Sequence, residues 1–373
     1  MRVLIAGDFC PRNRVANLLD KGDFHSVLGD YKNNIPNIDY SIVNFECPVV
    51  ICEPHPIVKL GPHLMCSENG LAAVKWAGFD CVTLANNHFR DYGDEGVMDT
   101  LKMCKNHQLD VVGGGANISE ASQVLYKEID GKILAIINCC EHEFSIASEQ
   151  SAGSNPLNPV QQYYSIKEAK KKSDFVLVIV HGGHEYYQLP STRMQEVYRF
   201  FVDAGADAVV NHHQHCYSGY ELYEGKPIVY GLGNFCFDEG MGKGTWHEGY
   251  VLIIDFADKI ILELKPYIQC DEVPGVKMTQ PQDFEKTLKE LNEIIESHDL
   301  LSAEQEKYYK SVFRSTRNVF NPVVNRYLGY LQYHHLFPDI VTDKWLNIVH
   351  NHIMCEAHRD KLVYYLNNRN GTN

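Results

Sequence analysis

Over residues 1 to about 265, short apolar runs rich in β-branched residues alternate with amphipathic stretches. A period of two marks strands and a period near 3.6 marks helices. The apolar runs predict strands at RVLIA (2–6), YSIVNF (40–45), CVTLA (81–85), VLYKEI (124–129), ILAIIN (133–138), FVLVIV (175–180), DAVVN (207–211), PIVYGL (227–232), YVLIIDF (250–256) and KIILEL (259–264). Helical spacing predicts SENGLAAVKWAG, YGDEGVMDTLKMCKNH and STRMQEVYRFFVDAG between them. EIDGKI reads as a tight hairpin, because Asp-Gly supplies the positive φ angles of such a turn. Strands interleaved with helices define an α/β or layered αββα domain. After QCDEVPG the texture changes: residues 281–373 carry few β-branched runs and read as several helices, broken at Pro322 and Pro338. The predicted organisation is one domain over 1–270 and a helical C-terminal region or cap over 281–373.

Composition narrows the function classes. The chain has 373 residues, 45% of them apolar, enough to fill a core. A formal charge of -14 argues against nucleic acid as partner, since binding a phosphate backbone requires clustered Lys and Arg. An acidic chain still holds phosphate through a cation. MRVLIAGD runs from the first Met straight into a strand, and runs such as VLVIV (176–180) are too short to cross a bilayer. The expectation is a cytoplasmic protein without direct membrane insertion. Twelve cysteines are scattered without CxxC pairs, which predicts reduced thiols.

The polar residues add a regularity. IAGD, VNFE, LANNH, VIVHGGHEY, VVNHHQH and GLGNF each close an apolar run with Asp, Glu, Asn or His. Ligands bind where the carboxyl ends of strands open into loops, so these six endings are expected to converge on one cleft. Asp8, Glu46, Asn87, His181, His213 and His215 are oxygen and imidazole donors, a mixture that suits Zn, Mn or Fe and is costly to bury without a cation. His213 and His215 are two apart, so extended backbone points both to one side, with Gln214 pointing away and His212 facing the other layer. Taken singly, each residue has a plainer reading. Asp8, Asn86 and Asn87 are good turn formers, and Asp91 and Asp94 are good helix caps. The repeated placement decides for a metal site. Glu141 and His142, in NCCEHEF, follow another strand without a supporting motif. In VHNHIMCEAH (349–358), His350, His352, Cys355 and His358 do not share one helix face, so no metal site is expected there. YLGYLQYHHLF (327–337) reads as a helical core seam.

GD at 7–8, NFECP, LANNHFRDYGDEGVMDTL, VHGGHEY, GADAVVNHHQH and YGLGNFCFD, in this order, resemble the CapA family of capsule or poly-γ-glutamate synthesis proteins, itself similar to calcineurin-like metallophosphatases. The resemblance covers residues 1 to 256 and implies a four-layer αββα metallophosphatase-like sandwich. It implies Asp8 as a first-motif ligand, Glu46 as a bridging carboxylate and Asn87 as the amide ligand. One divalent metal would see Glu46, Asn87, His181 and His213. A second would see Asp8, Glu46 and His215, one donor short. His88 would be the catalytic group beside the metals, and Glu185, Tyr186, Asn86 and Asn234 would contact substrate. Three departures stand out: Cys10 where metallophosphatases have His, Gly182 where the family has Trp, and Asn211 where it has Gly. Loss of the indole at Gly182 is expected to widen the pocket.

One or two ions of Mn, Zn or Fe in such a site activate water and clamp an oxyanion. The resemblance therefore implies a metallohydrolase of phosphoesters with a phosphorylated or polyanionic, polymer-related substrate. Two other readings remain open: a non-catalytic metal-binding partner of polymer synthesis machinery, and a γ-glutamyl amide hydrolase.

Overall fold

The computed structural model describes residues 1–354 apart from 36, 52, 60, 240–243, 320–325, 335 and 337–341. In chain order the strands are β1 (Arg2–Cys10), β2 (Tyr40–Phe45), β3 (Cys81–Thr83), β4 (Asp110–Val112), β5 (Gly114–Gly115), β6 (Leu125–Ile129), β7 (Lys132–Cys140) and β8 (Gly153–Ser154). They continue as β9 (Phe175–His181), β10 (Ala208–His212), β11 (Tyr220–Tyr223), β12 (Lys226–Val229), β13 (Asn234–Phe237), β14 (Glu248–Asp255), β15 (Ile261–Gln269) and β16 (Val276–Lys277). One sheet runs β16-β15-β14-β1-β2-β3-β4, with β13 pairing parallel to β1; a second runs β11-β12-β10-β9-β7-β6. β5 and β8 make a small separate pair.

Side-chain alternation explains why the two sheets stack. On β1, Val3 and Ile5 join one apolar cluster while Leu4 and Ala6 join another. Ile42 and Val43 on β2, Cys81 and Val82 on β3, and Leu252 and Val251 on β14 divide the same way. The first cluster also contains Ile137, Val178 and Val209 of the second sheet, so it is the seam between sheets. It reaches through that sheet to Ile166 of α6 (Pro159–Lys172), Tyr198 of α7 (Thr192–Ala204) and Leu291 of α8 (Phe284–Glu296). The other cluster packs the first sheet under Val15 of α1 (Asn13–Leu19), Leu28 of α2 (Phe24–Asn34), Val74 of α3 (Asn69–Ala77) and Val97 of α4 (Gly93–Asn106). Helices, sheet, sheet, helices: the domain is a four-layer αββα sandwich.

Most expected elements are present with shifted ends. β7 extends to Cys140 and β15 to Gln269, whereas β3 stops at Thr83 and β12 at Val229. EIDGKI is the β6–β7 hairpin, with Asp130 at φ 50° and Gly131 at φ 75°. Four helices carry no prediction: α1, α2, α5 (Ile118–Ala121) and α6. YGLGNF also departs from expectation, because Asn234 opens β13 instead of closing a strand.

The chain divides into two compact units, Met1–Ser302 and Ala303–Asn373. α8 belongs to the first, where Phe284, Leu288, Leu291 and Ile295 are buried. Pro322, Pro338, Cys355 and His358 lie outside the described residues. Tyr327 and Tyr330 are exposed, so the core seam expected at 327–337 is not formed by them. Ten cysteines among the described residues are free and buried. Among the described residues, no helix is long and apolar enough to cross a membrane.

Candidate metal centre

The parallel strands β1, β2 and β3 of one sheet and β9 and β10 of the other bring their carboxyl ends to the same edge of the sandwich. Asp8 lies near the end of β1, at a break in register with both β2 and β13. The close approach at that break requires glycine at position 7: a Cβ there would stand 1.9 Å from the Gly233 carbonyl oxygen. Glu46 follows β2, Asn87 follows β3, and His181 closes β9.

The route by which His213 and His215 arrive differs from the expected extended strand. β10 ends at His212, and His213 and His215 have φ of 95° and 56°. Left-handed backbone is uncommon outside glycine and concentrates at functional sites. The two rings meet because the chain curls, leaving their centroids 6.1 Å apart.

All six predicted donors converge. The donor atoms of Glu46, His181 and His213 lie within 4.8 Å of one another, and so do those of Asp8, Glu46 and His215. Nε2 of His181 sits 3.0 Å from Oδ1 of Asn87, 3.1 Å from Nδ1 of His213 and 3.6 Å from Oε1 of Glu46. Nδ1 of His215 donates to Oδ1 of Asn234 at 2.8 Å, which turns Nε2 toward Oε1 of Glu46, 3.8 Å away. Both oxygens of Glu46 are buried without a hydrogen-bond partner. Unpaired carboxylate oxygens facing imidazole nitrogens fit a divalent cation, and oxygen with imidazole suits Zn, Mn or Fe.

Electrostatics agree. Burial, then the charge of Asp8, raises the Glu46 carboxyl well above its ordinary range. Burial opposes ionisation of Asp8 too, but His212, His181 and His215 outweigh it and hold that carboxyl low. Burial followed by His213 keeps His181 neutral, and burial followed by His215 lowers His213 to about 4. Neutral imidazoles and ionised carboxylates are the metal-binding forms, and with its carboxyl raised Glu46 would need a cation beside it to stay ionised.

Several neighbours escaped the sequence reading. Asn44 donates to Oδ1 of Asp8 at 2.7 Å and lies 3.3 Å from Nδ1 of His181, so it ties two donors together. Glu143 accepts from Nδ2 of Asn87 at 3.4 Å and reaches to 3.8 Å from Nε2 of His213. Asp91 is no helix cap: it is fully buried, accepts from Nδ1 of His88 at 2.7 Å and from the backbone of Leu64, and pairs with Lys59. α4 starts without a side-chain cap. VNFE pointed at Glu46 alone, and nothing local marks Lys59.

The expected substrate contacts separate into two groups. Glu185 and Tyr186 are exposed at the mouth; the Tyr186 ring stacks on Trp246 at 5.8 Å beside His215, over a cavity of about 400 Å³. Asn86 and Asn234 are fully buried, so they are corrected to scaffold. Asn86 accepts from the His88 backbone and donates to the Phe45 carbonyl, while Asn234 orients His215. His212 does not face away: its Nδ1 is 3.4 Å from Oδ1 of Asp8, although neither ring nitrogen has a hydrogen bond. Cys10 is a buried thiol outside both donor groups. Gly182 does not widen the pocket, since Cγ of Glu141 lies 2.6 Å from where its Cβ would be, and Glu141 pairs with Arg193. Asn211 donates to the carbonyls of Gly182, His212 and Tyr230, stitching the strand ends together.

Residues 2–239 match the family described as bacterial capsule synthesis protein PGA_cap, and the chain belongs to that family. Over 248 residues it is 34% identical to capsule biosynthesis protein CapA of Bacillus anthracis, covering 64% of this chain and 60% of the relative. It is 35% identical over 205 residues to PGA biosynthesis protein CapA of Bacillus subtilis (strain 168), covering 54% of each. The chain thus spans little more than half the length of these curated relatives. A hypothetical protein from Thermus thermophilus superposes with a TM-score of 0.44 at 16% identity, over 72% of this chain and 98% of that one.

Proposed function

We propose that the chain is a divalent-metal-dependent hydrolase acting on a phosphorylated or polyanionic substrate of capsule or poly-γ-glutamate polymer metabolism. The observation that carries the reading is Glu46, whose two buried oxygens lack any donor and which belongs to both donor groups. Glu46, Asn87, His181 and His213 would hold one ion; Asp8, Glu46 and His215 would hold the other. Such ions supply the Lewis acidity that makes water nucleophilic near neutral pH and offsets charge on a phosphoryl oxygen. Nδ1 of His88 donates to Asp91, so a ring protonated at both nitrogens would keep that bond and pass its Nε2 proton to the leaving oxygen. Glu185 and Tyr186 meet the remainder of the substrate at the mouth. Buried Asn44 and Asn234 keep the donors aimed, as outer partners of metal ligands do. The polymer context comes from the names of the Bacillus relatives.

The test is to count bound metal in the purified protein and then offer it bis-p-nitrophenyl phosphate, p-nitrophenyl phosphate and poly-γ-glutamate. Bound metal with phosphoester cleavage supports the proposal. Release of glutamate oligomers without ester cleavage replaces it with an amide hydrolase. Bound metal with no hydrolysis of any of the three overturns it in favour of a metal-binding partner.

A further inference from the structure

Lys59 comes from the connection between β2 and α3, a segment with little core of its own: Ile51 and Val58 are 51% and 101% exposed. Yet the Lys59 side chain is only 2% exposed and its partner Asp91 is sealed completely. The ammonium pairs with Oδ1 of Asp91 and stands 3.1 Å from Nδ1 of His88. Oδ2 of Asp91 receives Nδ1 of His88 and the Leu64 backbone N–H, each at 2.7 Å. The connection is also tied down by the Ile57 N–H, which donates to the Asp91 carbonyl at 2.9 Å.

A buried ion pair is a poor source of stability, because desolvating two charges offsets most of their attraction. Immobilising a lysine costs rotamer entropy as well. Two backbone hydrogen bonds to Asp91 already fasten the segment, so holding the loop does not account for burying an ammonium there. What the ammonium does is occupy the one oxygen of Asp91 that would otherwise compete for the imidazole. We propose that Lys59 is a positioning residue for His88, committing Oδ1 of Asp91 so that Oδ2 alone receives Nδ1–H and the ring is held with its Nε2 edge turned away from Asp91, where a second ring proton can pass to the leaving oxygen. The inference rests on the reading above, in which His88 protonates the leaving oxygen.

Lys59→Met and Lys59→Gln remove the charge, and Lys59→Arg restores it. In holoprotein labelled with ¹⁵N-histidine, the Nδ1 proton of His88, assigned with His88→Asn, is expected in the wild type and in Lys59→Arg. It is expected to shift upfield or exchange away in both neutral variants. With phosphodiesters of graded leaving groups, the neutral variants are expected to lose kcat roughly 100-fold for an alkyl leaving group. For p-nitrophenol, which departs without a proton, the loss is expected to stay under about 3-fold, with KM and metal content unchanged. An unaltered His88 signal, equal losses for both leaving groups, loss of metal alongside turnover, or unfolding of both neutral variants overturns the proposal and makes Lys59 a strut of its loop. If the wild type cleaves no ester, the hydrolase reading fails by itself, and the histidine spectrum still decides for or against Lys59.

Discussion

A carboxylate denied both water and hydrogen-bond donors is costly, and an unsatisfied buried polar group destabilises a fold by about 1–3 kcal/mol. Glu46 carries that penalty in the metal-free protein. Glu46→Gln is therefore expected to abolish metal binding and, in EDTA, to melt above the wild type. A lower melting temperature in EDTA would contradict this account of Glu46. The histidines give a pH dependence. His213 falls from 6.5 in the unfolded chain to about 4 in the fold, and His181 falls too. Between those values the unfolded chain binds more protons, so the stability is present above about 6.5 and is lost as pH drops through about 4. Melting in EDTA is expected to be lower at pH 5 than at pH 7, and His213→Asn should flatten the slope. The six donors were legible because each stands next to an apolar run, where local pattern and site coincide. Asn44, Glu143 and Lys59 were not, since their partners are 36, 56 and 32 residues away.

Among the elements, β1 does the most to build the site. Its break at Gly7 sets the direction of Asp8, and the strand passes so close to Gly233 that no side chain fits. Gly7→Ala is expected to cost about 3 kcal/mol, the upper end for overpacking, and to weaken metal binding at the Asp8 group before the His181 group. Denaturant titration and metal competition check the two parts. Most strands were legible because fully buried strands are continuous apolar runs. β3 came out shorter than its run, as Ala85 leaves the ladder to donate to Oδ1 of Asn138. α6 was missed because only Gln162, Ile166 and Ala169 along it are buried, too thin a stripe to read. The turn at 213–215 was misread as extended for a related reason: period-two spacing carries no information about a chain that curls.

At the scale of the molecule, both donor groups and both apolar clusters lie within Met1–Ser302. A chain ending after Ser302 is expected to unfold in one cooperative step with the metal content of the full chain. Two transitions, or loss of metal, would show that the later residues complete the domain. Asp8, Glu46 and Asn87 hang from one sheet, while His181, His213 and His215 hang from the other. Neither half offers more than three of the six. During synthesis, the ion proposed for this site would meet the full set only after the ribosome has passed codon 215 and the two sheets have closed, which would make metallation a late step of biogenesis. Once seated, such an ion would work as a clasp, and chelation should let amide hydrogens at that edge exchange with solvent first.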